Sequence, residues 1–215
     1  MSRRQIIDTK SSAALAQRRN ILVVGSLVLL AILIVVVIAH YNTVPTAATA
    51  PNSAASPLVP GQKAPDFSVS TTEGPFSLSK SGGKPTLLEV FASWCPHCQR
   101  EVKVIDPLYD AYKSKVNFVA VNGDARGIDG QSPETQADVV DWKQKFNVEY
   151  PVAFDPDLTV AHLYLQSGFP TLVLIGADGN VEAVRDGEIP AGDLKAVLEA
   201  AATGKKPDPK MGAKG

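Results

Sequence analysis

Cysteine is scarce in this chain: only two of its 215 residues are cysteines. They are Cys95 and Cys98, separated by two residues. No further cysteine is available for a structural disulfide, so the apolar core alone must stabilise the fold. The pair is therefore either catalytic or half of a metal site.

An excess of positive charge is also absent, because the formal net charge is −1. The first 39 residues carry five basic residues against one acidic residue, which leaves a net charge of −5 on the rest of the chain. Nucleic-acid binding requires a basic surface. We therefore expect no nucleic-acid partner.

Charged residues are missing from residues 21–39, an apolar run that begins with Ile21 and ends with Ala39. At about 1.5 Å per residue, a helix of this length crosses a hydrocarbon core of roughly 30 Å. We predict a single transmembrane helix over residues 21–39. A cleaved signal peptide is the alternative, with residues 47–50 as a peptidase site, although its apolar core would be shorter, about 7 to 15 residues.

Basic residues flank this run on one side only. Five precede it, whereas none occurs in residues 40–62. The positive-inside rule then places residues 1–20 in the cytoplasm and the rest of the chain outside a bacterial cell membrane. Residues 40–60 are mainly Ala, Pro, Thr and Ser without charge, which predicts a flexible linker.

The remaining sequence suits one domain. Hydrophobic residues make up 45% of the chain, and residues 61–204 have the length of a typical domain, about 100 to 150 residues. The tail over residues 205–215 is rich in Lys, Pro and Gly, which predicts disorder.

The periodicity of apolar residues predicts the elements of this domain. We expect the second helix to begin with Ser132 as N-cap and Pro133 at its first position. A β-α-β unit followed by a hairpin and a closing helix predicts a mixed sheet with helices on both faces. Strands are predicted at residues 66–70, 75–78, 86–91, 116–121, 171–175 and 181–185, and helices after Trp94 and at residues 133–146, 157–165 and 191–202.

The two cysteines lie where an apolar strand ends and a helix can begin. At a helix N-terminus, the positive end of the dipole and the free N–H groups favour the thiolate of Cys95. Cys98 lies one turn further on and faces the same side. One sulfur can therefore attack a disulfide and the other can resolve the mixed disulfide.

Two motifs carry a family resemblance, FASWCPHC at residues 91–98 and GFPT at residues 168–171. With them the chain resembles the thioredoxin superfamily. Within it, APDF at residues 64–67 and CQRE at residues 98–101 are similar to the membrane-anchored TlpA/ResA-type thiol:disulfide oxidoreductases. The resemblance covers residues 58–204. It implies an α/β thioredoxin fold, a mixed central sheet flanked by helices, with an N-terminal β-hairpin extension and no cofactor.

The resemblance also implies roles for individual residues. Cys95 is the expected nucleophile and Cys98 the resolving thiol. Glu89 matches the buried acid below the active site of thioredoxin-like proteins, and Glu101 completes a C-x-x-C-x-x-E pattern. Either carboxylate could relay a proton to Cys98. Alternatively, Glu89 is a solvated carboxylate at the sheet edge and Glu101 an exposed helix charge.

Five further residues are expected around the sulfurs. Trp94 would shield them or serve as a core aromatic residue. Phe169 and Pro170 would bind an extended substrate segment, with Pro170 in a cis peptide bond, the alternative being an ordinary trans proline. Pro96 and His97 form the dipeptide between the cysteines, and a protonated His97 would favour the Cys95 thiolate.

The expected partners are cysteine-containing exported proteins and a membrane electron donor or acceptor. The TlpA/ResA-like architecture favours a reductant. Pro96-His97 is also the dipeptide of the oxidant DsbA, so an enzyme that forms disulfides is the alternative. A further alternative is a Sco-type copper chaperone that uses Cys95, Cys98 and His162, although Sco-type proteins have C-x-x-x-C spacing. A peroxidase would carry Thr or Ser where this chain has Ala92.

Overall fold

The computed structural model describes residues 57–212, together with Ser26, Leu30 and residues 32–34. These last five are helical and exposed and fall in the predicted transmembrane run. The rest of that run, residues 1–20 and the linker before residue 57 lie outside the described residues. No helix in the described part of the chain is long and apolar enough to cross a membrane.

One mixed sheet of seven strands forms the centre of the domain. Strand β3 lies inside it, parallel to β4 and antiparallel to β6, and all its residues are buried. The spatial order is β2-β1-β5-β4-β3-β6-β7. The strands are β1 (Ser68–Thr71), β2 (Gly74–Ser77), β3 (Thr86–Phe91), β4 (Asn117–Asn122), β5 (Val152–Ala153), β6 (Thr171–Ile175) and β7 (Val181–Asp186).

Helices cover both faces of this sheet, as predicted. They are α1 (Pro96–Tyr112), α2 (Gln136–Lys145), α3 (Thr159–Tyr164) and α4 (Ala191–Ala202), with a 3₁₀ turn at Leu78–Lys80. Leu87 and Phe91 of β3 pack with α1, α2 and α4, whereas Leu88 and Val90 pack with α3 on the opposite face. This alternation follows from the two-residue period of a strand.

The predicted N-terminal hairpin is present as β1 and β2, which pair antiparallel. It joins the rest of the sheet where Thr71 of β1 pairs with Ala153 of β5. Phe67, which precedes β1, is buried in the core cluster on the α3 face. The hairpin is therefore an edge element of the sheet.

Helix α2 is shorter than the predicted helix over residues 133–146. Thr135 is its N-cap and forms a capping box with Asp138, each side chain accepting a backbone N–H of the other residue. Ser132, the predicted cap, instead donates its hydroxyl to Asp129 at 2.6 Å. The stronger capping pair therefore sets the start of the helix at Gln136.

The predicted disorder of the C-terminal tail is corrected for residues 205–212. The backbone N–H of Val184 donates to the carbonyl of Pro209 at 3.1 Å, and Arg185 donates to the carbonyl of Met211 at 3.4 Å. Met211 is fully buried in the core. Burial of this large apolar side chain holds the segment on the domain.

Three chain segments meet at one edge of the sheet. β3 and β4 are parallel and end there, and β6 runs antiparallel to β3 and begins there. The residues after Phe91, after Asn122 and before Thr171 therefore lie close together, and α1 starts among them.

Candidate active site

Cys95 is the N-cap of α1, with extended backbone dihedral angles, and Pro96 occupies the first turn. The N–H of Cys95 donates to the carbonyl of Ala92 at 3.0 Å, and its carbonyl accepts from the N–H of Gln99 at 3.1 Å. The missing N–H of Pro96 costs no helical hydrogen bond at this position. The sequence therefore folds so that the first sulfur lies at the positive end of the helix.

The two sulfurs differ in exposure. Both cysteines are free thiols. Cys95 retains 4% of its surface and Cys98 none. Both residues are buried, and the small exposed area that remains belongs to Cys95, so Cys95 is the cysteine that an incoming disulfide meets first.

The thiol of Cys95 faces the backbone of the second motif. Its Sγ lies 3.7 Å from the carbonyl oxygen of Phe169, to which it can donate. The peptide bond between Phe169 and Pro170 is cis. The structure thus brings together the two motifs, which lie 74 residues apart.

Trp94 forms one wall of the site. Its ring meets that of Phe169 edge to face, with centroids 6.1 Å apart, and the guanidinium of Arg126 lies 4.7 Å from the ring centroid. Arg126 is itself paired with Asp124 at 2.8 Å. A cation over an aromatic face is attractive, so the loop after β4 holds Trp94 in place.

Glu89 lies in the interior of the domain, in the middle of β3, and is only 2% exposed. Tyr150 donates its hydroxyl to Oε2 at 3.0 Å, and Oε1 has no hydrogen-bond partner. Burial, followed by the negative charge of Glu101, raises the pKa of Glu89 to about 8. The alternative of a solvated carboxylate at the sheet edge is therefore wrong.

Glu101 is also fully buried, so it is not an exposed helix charge. The backbone N–H of Ile189 donates to its Oε2 at 3.1 Å, and its Oε1 has no partner. Burial raises the pKa of Glu101 to about 7. Glu89 and Glu101 are therefore interior carboxyl groups whose pKa values are raised towards neutral pH.

Cys98 is surrounded by groups that disfavour its thiolate. Burial raises the pKa of this thiol far above its ordinary value, and the negative charge of Glu89 raises it further. Cys98 can act as a nucleophile only if a nearby group accepts its proton. Glu89 is the carboxyl group whose charge acts on Cys98, and with a pKa of about 8 it is free to accept a proton at higher pH.

His97 contacts charged residues at the surface. Its Nδ1 lies 2.5 Å from Oε1 of Glu188, and Nη2 of Arg100 lies 2.5 Å from the same oxygen and 2.8 Å from Nδ1. All three side chains are partly exposed. Glu188 and Arg100 are partners that the sequence analysis did not identify.

Glu134 is a further buried carboxyl group that the sequence analysis did not identify. Glu134 accepts hydrogen bonds from the hydroxyl of Ser93 and from Nδ2 of Asn122, the latter at 3.1 Å. Burial raises the pKa of Glu134 to about 7. Gln99 donates to the carbonyl of Ser93 at 2.9 Å. The motif residue before Trp94 is therefore fixed through both its side chain and its backbone.

No group of three or more His, Cys, Asp or Glu residues within residues 57–212 is arranged to hold a metal ion. His162, the third ligand in the copper-chaperone alternative, lies exposed on α3.

Comparisons with known proteins agree with this geometry. The AhpC/TSA family profile matches residues 60–184. The thiol-disulfide oxidoreductase ResA of Bacillus cereus is 30% identical over 141 residues, which cover 65% of this chain and 76% of that protein. A thiol:disulfide interchange protein of the thioredoxin family from Chlorobium tepidum TLS is 27% identical, with a TM-score of 0.52 over 68% of this chain and 99% of that one. StoA from Bacillus subtilis is 28% identical, with a TM-score of 0.52 over 65% of this chain and 97% of StoA.

Proposed function

The chain belongs to the AhpC/TSA family and, within it, is a thiol-disulfide oxidoreductase of the TlpA/ResA type, and from this premise we propose that it reduces disulfides of exported proteins while anchored in a cell membrane. The reacting pair is Cys95 and Cys98. The direction of the reaction, the anchor and the partners are the proposal.

The observation that carries the reducing direction is the burial of Cys98 beside Glu89. A stabilised reduced form makes a strong oxidant. Here the interior position and the neighbouring carboxyl group both disfavour the thiolate of Cys98. Cys98 therefore adds no stabilised thiolate to the reduced form, which supports a reductant over a strong oxidant.

The reaction begins with the Cys95 thiolate, which attacks one sulfur of a substrate disulfide. The substrate S–S bond breaks, a mixed disulfide forms, and the other substrate sulfur leaves as a thiolate. Cys98 then transfers its proton to Glu89 or Glu101 and attacks the sulfur of Cys95. The second substrate sulfur leaves, so the substrate gains two electrons and the enzyme holds a Cys95–Cys98 disulfide.

The enzyme returns to its reduced form only with a donor of two electrons. We assign this role to a dithiol protein of the membrane, which would exchange with the Cys95–Cys98 disulfide by the same chemistry. The 19 uncharged residues 21–39 and the basic residues before them support an anchored domain outside the cell.

The backbone around Phe169 supports a protein substrate. Its carbonyl lies 3.7 Å from the sulfur of Cys95, so a chain segment paired with this backbone would bring its own sulfur close to the nucleophile. Trp94 and Phe169 supply an aromatic surface beside that segment.

The proposal is tested by the reduction potential of the full-length protein in detergent. The protein is equilibrated in glutathione buffers, and the fraction of disulfide is read from the mass added by a thiol-alkylating reagent. A potential near or below that of thioredoxin, about −270 mV, supports a reductant. A potential near that of DsbA, about −120 mV, would instead establish an oxidant.

A further inference from the structure

Three charged or chargeable groups meet at the surface end of the active-site helix. Oε1 of Glu188 lies 2.5 Å from Nδ1 of His97 and 2.5 Å from Nη2 of Arg100. Nε of Arg100 also donates to both carboxylate oxygens of Glu188, at 3.1 and 3.3 Å. One carboxylate from the β7–α4 connection therefore faces two basic groups on the first turns of α1.

The hydrogen bonds of this cluster differ with the protonation of His97. A protonated Nδ1 donates to Glu188, whereas an unprotonated Nδ1 accepts from Arg100, 2.8 Å away. The guanidinium of Arg100 donates to Glu188 in both cases. In either state the negative charge of Glu188 offsets positive charge at the end of the helix that carries Cys95.

Positive charge at this place has a direct chemical effect. An imidazolium or guanidinium beside a thiolate stabilises it, and a stabilised thiolate makes the disulfide form a stronger oxidant. His97 lies between the two cysteines, and Arg100 follows Cys98 by two residues. A carboxylate bound to both should reduce this stabilisation.

We propose that Glu188 is a positioning residue for His97 and Arg100, and that its charge keeps the reduction potential of the Cys95–Cys98 pair low. The inference deepens the proposed reducing function and rests on the exchange chemistry of the two cysteines. It also assigns a physical reason why a Pro-His dipeptide can serve a reductant.

The backbone of Glu188 is held independently of its carboxylate. Arg185 donates to its carbonyl from Nε at 3.1 Å and from Nη2 at 2.8 Å. The next N–H, that of Ile189, binds the buried Glu101. A change confined to the Glu188 side chain therefore alters the surface charge while these backbone contacts remain available.

The test is the glutathione equilibrium of the full-length Glu188→Gln variant, since Gln keeps the size of the side chain and removes its charge. Exposed ion pairs are weak, so we expect the equilibrium constant to shift about threefold to fivefold towards the oxidising side, or roughly 15 to 20 mV. Glu188→Asp, which keeps the charge, should shift it less. Glu199→Gln is the matched control, because it removes one exposed carboxylate from α4, and should leave the potential unchanged.

The same change is then made in a His97→Ala background. In this background, Glu188→Gln should shift the glutathione equilibrium constant by less than half as much as it does in the presence of His97. The remaining shift would act through Arg100. An unchanged potential in Glu188→Gln, or an equal shift with and without His97, would overturn the proposal. These outcomes are differences between variants, so they are independent of whether the wild-type potential is that of a reductant.

Discussion

The hydroxyl of Tyr150 donates to Oε2 of Glu89 at 3.0 Å, although 61 residues separate them. Both side chains are buried. This hydrogen bond lowers the pKa of Glu89, against the larger effect of burial that raises it to about 8. Tyr150, two residues before β5, therefore lowers the pKa of the carboxyl group that we propose as a proton acceptor.

Replacement of Tyr150 by Phe removes this hydrogen bond. The pKa of Glu89 should rise further, because only the lowering contribution is lost. If Glu89 accepts the proton of Cys98, the rate of the second exchange step rises with pH through about 8 in the wild type, and the variant needs a higher pH. Stopped-flow measurement of mixed-disulfide resolution against pH checks this. A superimposable pH profile would exclude Glu89 as the proton acceptor.

Glu89 should make the fold less stable as the pH rises. Its folded pKa of about 8 lies above the unfolded value of 4.5, so its stabilising contribution is complete below pH 4.5 and is lost as the pH rises through 8. Glu89→Gln should therefore raise the free energy of unfolding at pH 8, by about 2 to 4 kcal/mol, and have much less effect at pH 5. Denaturant titrations at the two pH values measure the difference. If Glu89→Gln changed the free energy of unfolding equally at pH 5 and pH 8, the raised pKa of Glu89 would be contradicted.

The two cysteines should have separable roles. Cys98→Ala should leave Cys95 able to attack and should accumulate mixed disulfides, because no second sulfur remains to resolve them. Cys95→Ala should form none, since Cys98 is fully buried. Non-reducing gel electrophoresis with a disulfide-bonded protein substrate distinguishes the two variants. Mixed disulfides formed by Cys95→Ala would show that Cys98 is reachable.

Ser93 should contribute to stability through Glu134. Ser93→Ala leaves a buried carboxyl group with Asn122 as its remaining side-chain donor, and loss of a buried hydrogen bond costs about 1 to 3 kcal/mol. Ser114→Ala, at an exposed position, is the matched control and should be close to neutral. Chemical denaturation measures both. A neutral effect of Ser93→Ala would mean that Glu134 does not depend on this hydroxyl.

Met211 distinguishes a packed tail from a disordered one. It is fully buried, and large-to-small changes of this kind cost about 2 to 5 kcal/mol. We expect Met211→Ala to lower the free energy of unfolding by an amount in this range, and the exposed Lys210→Ala to leave it nearly unchanged. If the two variants were equally stable, the tail would not contribute to the core.

Local sequence patterns predicted the parts of the structure that depend on neighbouring residues. The apolar run at Thr86–Phe91 became a buried strand with the predicted ends, and Cys95 and Pro96 begin a helix where the motif placed them. The start of α2 was misplaced because Ser132 and Thr135 both have the chemistry of a cap. Only the reciprocal bonds with Asp138 decide between them.

The missed site residues are those that reach the motif from far along the chain. Glu134 binds Ser93 across 41 residues, and Glu188 binds His97 across 91. A carboxylate in a loop has no periodicity that reveals its partner. The burial of Glu101 depended on packing against the β7–α4 connection, which no spacing within α1 could show.

The edge position of the β1–β2 hairpin has a consequence for how the domain opens. The hairpin meets β5 at the pair Thr71 and Ala153 and through the N–H of Thr72, which donates to the carbonyl of Val152, whereas β3 is bonded on both sides along nearly its whole length. Segments with few backbone bonds open locally at a low free-energy cost, and central strands open only with the whole fold. We therefore expect the amide hydrogens of the hairpin to exchange with solvent faster than those of β3, the strand that the cysteine pair follows.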